Sequence, residues 1–322
     1  MRTDTSTHVW QFIAGKFSAD IAVILLYVLQ SEGSSPGRQG FNMAVAADGD
    51  FFGTIGGGIM EHKFVEMARS KLQNAASGAD IYKQVHDKAV AKNQSGMICS
   101  GEQTIFLYHV QAKDITHILA LIDSLNNNKN GSLQLSKAGI RFSDDVPSAN
   151  YYLELNGDDF LLVEKTGYKN HLYIIGGGHC ALALSKLMRE LDFYIHLYDE
   201  REGLNTMEQN VFAHEKTIVP SYALLNTLIP GGENVYVAIM TFGYRSDDEA
   251  LRALLGKRFK YIGMLGSRTK IEKLFTEYKN ENIDATALEN IHSPIGIQVK
   301  SQTTTEIAIS IAAEIISVKN MG

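Results

Sequence analysis

The 322 residues carry 30 lysines and arginines against 36 aspartates and glutamates, a formal net charge of −6, with no basic block. This balance argues against nucleic acid or a membrane surface as the partner and leaves small molecules and proteins. A hydrophobic fraction of 45% over this length supplies cores for two domains rather than one.

The longest apolar run, AVILLYVL at 22–29, is about a third of a membrane-spanning helix and predicts a buried strand. Two cysteines, Cys99 and Cys180, and an amino terminus (MRTDTSTHVWQ) lacking a charged-then-apolar leader suggest a reducing cytoplasm. FNMAVAADGDFFGTI at 41–55 predicts two short strands joined at Asp48-Gly49, a dipeptide that favours tight hairpins. A helix is expected over 60–72, strands over 103–110, 132–135 and 151–155, and a helix over 115–125. NNNKNG at 126–131 reads as a loop and RFSDDVPSAN at 141–150 has linker composition. Further on, HLYII, YIHLY, VYVAIM and YIGML are each followed by a helical segment. The expected fold is α/β: an N-terminal α+β domain over 1–160, then a Rossmann-like doubly wound parallel sheet over 161–322.

IGGG occurs twice, at 55–58 and 175–178. Each glycine costs backbone entropy on folding and packs no side chain, so each run needs a reason. The second run ends a predicted strand, opens a helix and gives G-x-G-x-x-A with Gly176, Gly178 and Ala181, while Gly177 lies inside the turn. The first glycine allows the tight turn, the second lets amides approach a phosphate, and Ala181 lets the helix pack close to the sheet. Asp199 closes the next strand 23 residues after Gly176, where an acid accepts a bond from a ribose hydroxyl. The bland alternative is a tight turn without a ligand. His179 and Cys180 sit at the variable positions, and Arg201 lies two residues past the acid.

The first run, with Gly57 and Gly58, ends a hairpin and leads into a helix carrying Glu61, His62 and Glu66, without the strand-helix-strand context of a dinucleotide loop. GSSPGRQGFNM at 33–43 precedes it and presents one cation, Arg38. The two segments either hold an anion or flat ligand against backbone amides or are ordinary loops. GSRTK, with Gly266, Ser267, Arg268 and Lys270, is either an anion site at a helix start or a helix cap. His62 and Glu66 are one helical turn apart, but two residues do not make a metal site. A lone Cys99 between apolar neighbours is more often inert than reactive.

GSSPGRQGFNM, GTIGGGIMEHKFVEMA and GMICSGEQTIFL, followed by YIGMLGSRTK, IHSPIG and TEIAISIAAEII, together resemble the XdhC/CoxI family over nearly the whole chain. The resemblance implies a chaperone-like accessory factor rather than an enzyme. Such a factor binds molybdenum cofactor (molybdopterin) and helps deliver it to a xanthine dehydrogenase-like molybdenum hydroxylase. A cysteine desulfurase is a further implied partner, and a homodimer the implied assembly. It makes Arg38, Gly57, Gly58, Glu61, Gly176–Gly178, His179, Ala181, Asp199, Gly266, Ser267 and Arg268 candidates for cofactor contact, and Cys99 the candidate thiol and metal contact. The chain departs from the family pattern in several places. It has Gly37 before Arg38, Ile59 in place of a cysteine, Cys99-Ser100-Gly101, Phe242 where a histidine is usual, and Lys300 for a glycine. The rival readings are an NAD(P)-dependent oxidoreductase or a nucleotide-sensing module, both using the same glycine loop.

Overall fold

Val23–Gly33 (β1) is the spine of the first half. Side chains alternate between the faces of a strand, and here both faces are buried: Val23, Leu25, Tyr27 and Leu29 enter one core, Ile24, Leu26 and Val28 another. That is why the segment is continuously apolar in sequence. With Asn42–Ala46 (β2), Phe51–Gly53 (β3), Ala79–Val85 (β4) and Gly101–His109 (β5), it makes an antiparallel sheet of order β3-β2-β1-β5-β4. The computed structural model describes residues 5–74, 78–85, 101–157, 159–283 and 288–321; Cys99 lies outside them.

Helices Thr5–Ser18 (α1) and Ala112–Asn126 (α3) cover one face of this sheet, sharing its core with a second antiparallel sheet. Gly58–Gln73 (α2) covers the other, through Met60, Phe64, Val65 and Ala68. The second sheet comprises Gly131–Ser136 (β6), Gly139–Ser143 (β7), Tyr151–Asn156 (β8) and Asp159–Thr166 (β9), in order β7-β6-β9-β8. The stretch 141–150 is therefore not an interdomain linker. It carries the end of β7 and the connection into β8; its Pro, Ser and Asp residues mark a turn within a sheet, a composition that linkers share. Strand β9, unmarked in the sequence reading, carries the first compact unit to Gly167, and the second runs Tyr168–Gly322.

The second unit is a parallel sheet of Asn170–Ile175 (β10), Phe193–Asp199 (β11), Glu215–Ile218 (β12), Gly232–Ile239 (β13) and Phe259–Met264 (β14), in order β12-β11-β10-β13-β14. His179–Glu190 (α4) and Thr304–Asn320 (α9) share one apolar core with it. Tyr244–Leu254 (α7) and Arg268–Asn280 (α8) share the other. The short turns Asn205–Glu208 (α5) and Leu225–Leu228 (α6) lie in the connections flanking β12. Strand order reverses between β10 and β13, the switch point beyond which ligands of such sheets sit. β12 escaped the sequence reading because it has four residues, is mostly exposed and lies at an edge.

At one end of the first sheet, loops meet backbone to backbone. A Cβ at Gly37 would lie 2.1 Å from Ile55 O, and one at Gly56 2.5 Å from Gly37 N. Gln103, fully buried, donates from Nε2 to Gly37 O (2.9 Å) and Ile55 O (3.3 Å). Gly37→Ala is therefore expected to destabilise the first unit by about 2–3 kcal/mol. Gly15→Ala, exposed on α1 with nothing near its Cβ position, should stabilise it by about 0.5–1 kcal/mol. Urea denaturation of the two variants reads both signs.

Candidate functional site

The loop after β10 is shaped by its neighbours. Gly176 has φ +105°, and a Cβ there would sit 2.4 Å from Met240 O at the end of β13, so only glycine fits. Gly177 N donates to Asp199 Oδ2 (2.7 Å), and Gly177 O accepts from Thr206 Oγ1 (2.6 Å). Gly178 is the N-cap of α4, with no side-chain cap and nothing within 4 Å of its Cβ position. Ala181, 1% exposed, packs into the core beneath. Gly243, the N-cap of α7, is likewise uncapped by a side chain and open. Two helix starts, following the strands on either side of the switch point, thus lie at the carboxyl edge without a cap from the N-cap side chain, although Gly243 N donates to Thr241 Oγ1 (3.4 Å).

Asp199 is 0% exposed and makes four hydrogen bonds. Oδ1 accepts from Arg201 N (2.9 Å) and Nε (2.8 Å); Oδ2 accepts from Arg201 Nη2 (2.7 Å) and Gly177 N. Burial alone would raise its pKa, but the guanidinium and the two amides outweigh it and hold the carboxyl below its ordinary value. The acid that spacing assigns to a ribose hydroxyl is thus engaged with its own loop and with Arg201. The group facing outward at the end of β11 is Arg201, whose guanidinium lies 4.8 Å from the ring centre of Phe242, itself 68% exposed after β13. Sequence reasoning missed this pair, because only the sheet order brings the two loops together.

The GSRTK segment divides its work. Ser267 caps α8, accepting from Lys270 N (3.4 Å). Lys270 pairs with Asp247 on α7, a buried carboxylate that also accepts from Thr241 Oγ1 (2.5 Å) and Thr241 N (3.2 Å). Arg268 is exposed and lines a cavity beside α8, and Gly266 packs near the Lys270 stem. The expected single anion site is thus distributed: the Lys270 charge answers Asp247, and Arg268 turns elsewhere.

In the first unit, Glu61 Oε2 accepts from Thr54 Oγ1 (2.6 Å), Ile55 N (2.9 Å) and Gly57 N (3.0 Å). The amides that the first glycine run offers to an anion are taken by a carboxylate of the same segment. Gly57 and Gly58, with φ of +74° and +72°, bring the loop round to it. Arg38 is exposed and donates from Nη1 to Gly33 O (3.1 Å). Glu66 pairs with Arg69 (2.7 Å), His62 is exposed, and no group of three potential metal ligands occurs among the described residues. His179 is exposed at the start of α4, while Cys180 is half-buried against the core, its thiol pKa pushed up by burial.

The family model for the XdhC Rossmann domain matches residues 172–315, and that for the XdhC and CoxI family matches 17–83. YqeB, an uncharacterised protein of Escherichia coli K12, is 25% identical over 296 residues, covering 91% of this chain; the chain spans only 43% of YqeB. A probable xanthine dehydrogenase subunit of Bacillus subtilis is 22% identical, covering 92% of this chain and 93% of its own length. A crystal structure of a xanthine dehydrogenase from Bacillus halodurans shares the fold, with a TM-score of 0.70 and 24% identity over 98% of this chain and 96% of that one.

Because the folded-state pKa of Asp199 is depressed, the unfolded carboxyl takes up a proton first as pH falls. The stability it contributes is therefore present above about pH 4 and is lost as pH drops through the lower folded value. Asp199→Asn should cost about 1–3 kcal/mol at pH 7, towards the lower end because Arg201 is partly solvated. The gap to wild type should narrow below about pH 4, which denaturation across a pH series measures.

Proposed function

We infer the function from the family: the chain belongs to the XdhC/CoxI family. We propose that it is an accessory factor of a xanthine dehydrogenase-like molybdenum hydroxylase and holds molybdenum cofactor by its phosphate end. The observation that carries this reading is the open start of α4 at Gly178, where the helix amides have no cap and a Cβ position is empty. Amides at a helix start hold a phosphate by hydrogen bonds and by the helix dipole together. The partner is carried over from the name of the B. subtilis relative.

The residues present fit the phosphate end of the cofactor. They supply no preformed metal cage among the described residues, so the metal end is assigned to none of them. When bound, the cofactor supplies a sulfur-ligated molybdenum centre. The chain supplies a rigid turn at Gly176, a helix start at Gly178, and Asp199 fixing both the loop and Arg201. A second reading, a nicotinamide or other nucleotide at the same loop, is favoured by one feature: the Arg201 guanidinium beside the exposed ring of Phe242. Such a surface stacks a flat base.

Anaerobic mixing with the cofactor, followed by desalting and metal analysis, tests the first reading. About one molybdenum per chain is expected. Gly178→Val should lower retention at least about tenfold, since the branched side chain enters the phosphate position. Gly178 has φ −74° and free space around it, so the variant should keep the wild-type unfolding temperature. Tight NAD(H) binding with no molybdenum retained would favour the second reading. Equal molybdenum retention by a folded Gly178→Val would reduce the loop to a turn.

A further inference from the structure

A cavity of about 710 Å³ opens between α8 and the segment 292–298. Three segments distant in sequence build one wall of it around Glu314 of α9. Glu314 accepts from Tyr261 OH (2.5 Å) on β14 and from Gly296 N (2.8 Å), and lies 3.4 Å from His292 Nδ1. His292 stacks on Tyr261, with ring centres 4.6 Å apart. The wall is tightly fitted: a Cβ at Gly296 would meet Ser310 Oγ at 2.5 Å, and one at Gly263 would meet Ile295 Cγ1 at 2.6 Å. This network serves neither the glycine loop after β10 nor the Asp199 cluster.

Its effect is to orient a histidine. The carboxylate lies beside Nδ1 of a ring whose side chain is 35% exposed and lines the cavity. His292 exchanges backbone hydrogen bonds with Ile262 and Met264, which sets it beside the carboxyl end of β14. Arg268 opens α8 four residues after Met264, so both lie at the same end of the cavity. No ion pair or hydrogen bond engages the Arg268 side chain among the described residues. Glu314 has its charge answered by three donors. Glu272 and Lys279 lie about one and three turns further along α8. Phe275 and Ile297, the latter 46% exposed, supply apolar surface further in.

We propose that this cavity is a second ligand site, taking a small amphiphilic oxyanion. Its phosphate or carboxylate group sits between Arg268 and His292, and its apolar body lies on Phe275 and Ile297. Arginine presents a planar fork to an oxyanion, and an imidazole N–H beside it is a second donor. The volume lies within the range of sites for small molecules.

Titrating phenyl phosphate and, separately, benzoate into the full chain tests this, read by the ring-nitrogen NMR signals of histidine. The His292 signal is identified by its loss in His292→Gln. For at least one probe a saturable shift of that signal is expected below about 10 mM. It should weaken about tenfold or more in Arg268→Ala and survive in Gly178→Val. Inorganic phosphate should bind more weakly than phenyl phosphate, and Ile297→Ser should reduce that difference. Absence of a saturable shift with both probes overturns the proposal. So does a shift indifferent to Arg268→Ala, or one abolished by Gly178→Val, which assigns the anion to the glycine loop. None of these outcomes bears on molybdenum retention, so the two assignments fail separately.

Discussion

A carboxylate with 0% exposure must have its charge answered locally or it will not stay charged. Asp199 is answered by the amides of Gly177 and Arg201 and by two nitrogens of the Arg201 guanidinium. The candidate site depends on this arrangement. It ties the glycine loop after β10 to the end of β11, so the turn at Gly176 is held from both sides: Met240, just after β13, packs against it and Asp199 of β11 binds the next residue. It also fixes the plane of Arg201, and through it the contact with Phe242. A guanidinium held in a fork has little freedom left to lose when a ligand stacks on it.

The first glycine run uses the same principle to the opposite end. Glu61 sits in the opening turn of α2 and gathers the donors of Thr54, Ile55 and Gly57 onto one oxygen. Here the internal carboxylate occupies the position that an exogenous anion takes at a helix start. After β10 the internal carboxylate binds behind the loop, and the helix start at Gly178 stays open. Identical tetrapeptides thus end in different chemistry, and the difference lies in where the acid comes from: the opening turn of the following helix in one case, the next strand in the other.

What the sequence disclosed follows the range of each interaction. β1, the hairpin at Asp48-Gly49, α2, α3 and four of the five parallel strands show as apolar runs, turn dipeptides or helical spacing, all set by residues near one another in the chain. α1, β4, β7, β9 and β12 did not show: β12 is short and exposed, β7 ends inside a stretch of linker-like composition, and β9 follows β8 across a tight turn. The loop glycines and Asp199 were legible as positions, but not their bonding. That Asp199 turns inward depends on Arg201, and that the Lys270 charge answers Asp247 depends on α7 and α8 lying side by side across the end of β13 and β14. No local pattern encodes pairings between residues 23 apart on different elements.

Glu314 extends the theme to the flank of the parallel sheet, where a carboxylate on the last helix gathers a tyrosine, a backbone amide and a histidine. The consequence there differs from both glycine loops. At Glu61 the acid fills a nest, and at Asp199 it braces one. At Glu314 it lies 3.4 Å from Nδ1 of His292, a residue that lines a cavity. Such an arrangement adds little to folding, since a partly exposed ion pair contributes about 0–1 kcal/mol. Its clearest physical product is a histidine held in one orientation, between the Glu314 carboxylate and the Tyr261 ring. An oriented ring beside a cavity matters only to a molecule that enters it, and that is the ground on which we propose a ligand site at the flank of the sheet.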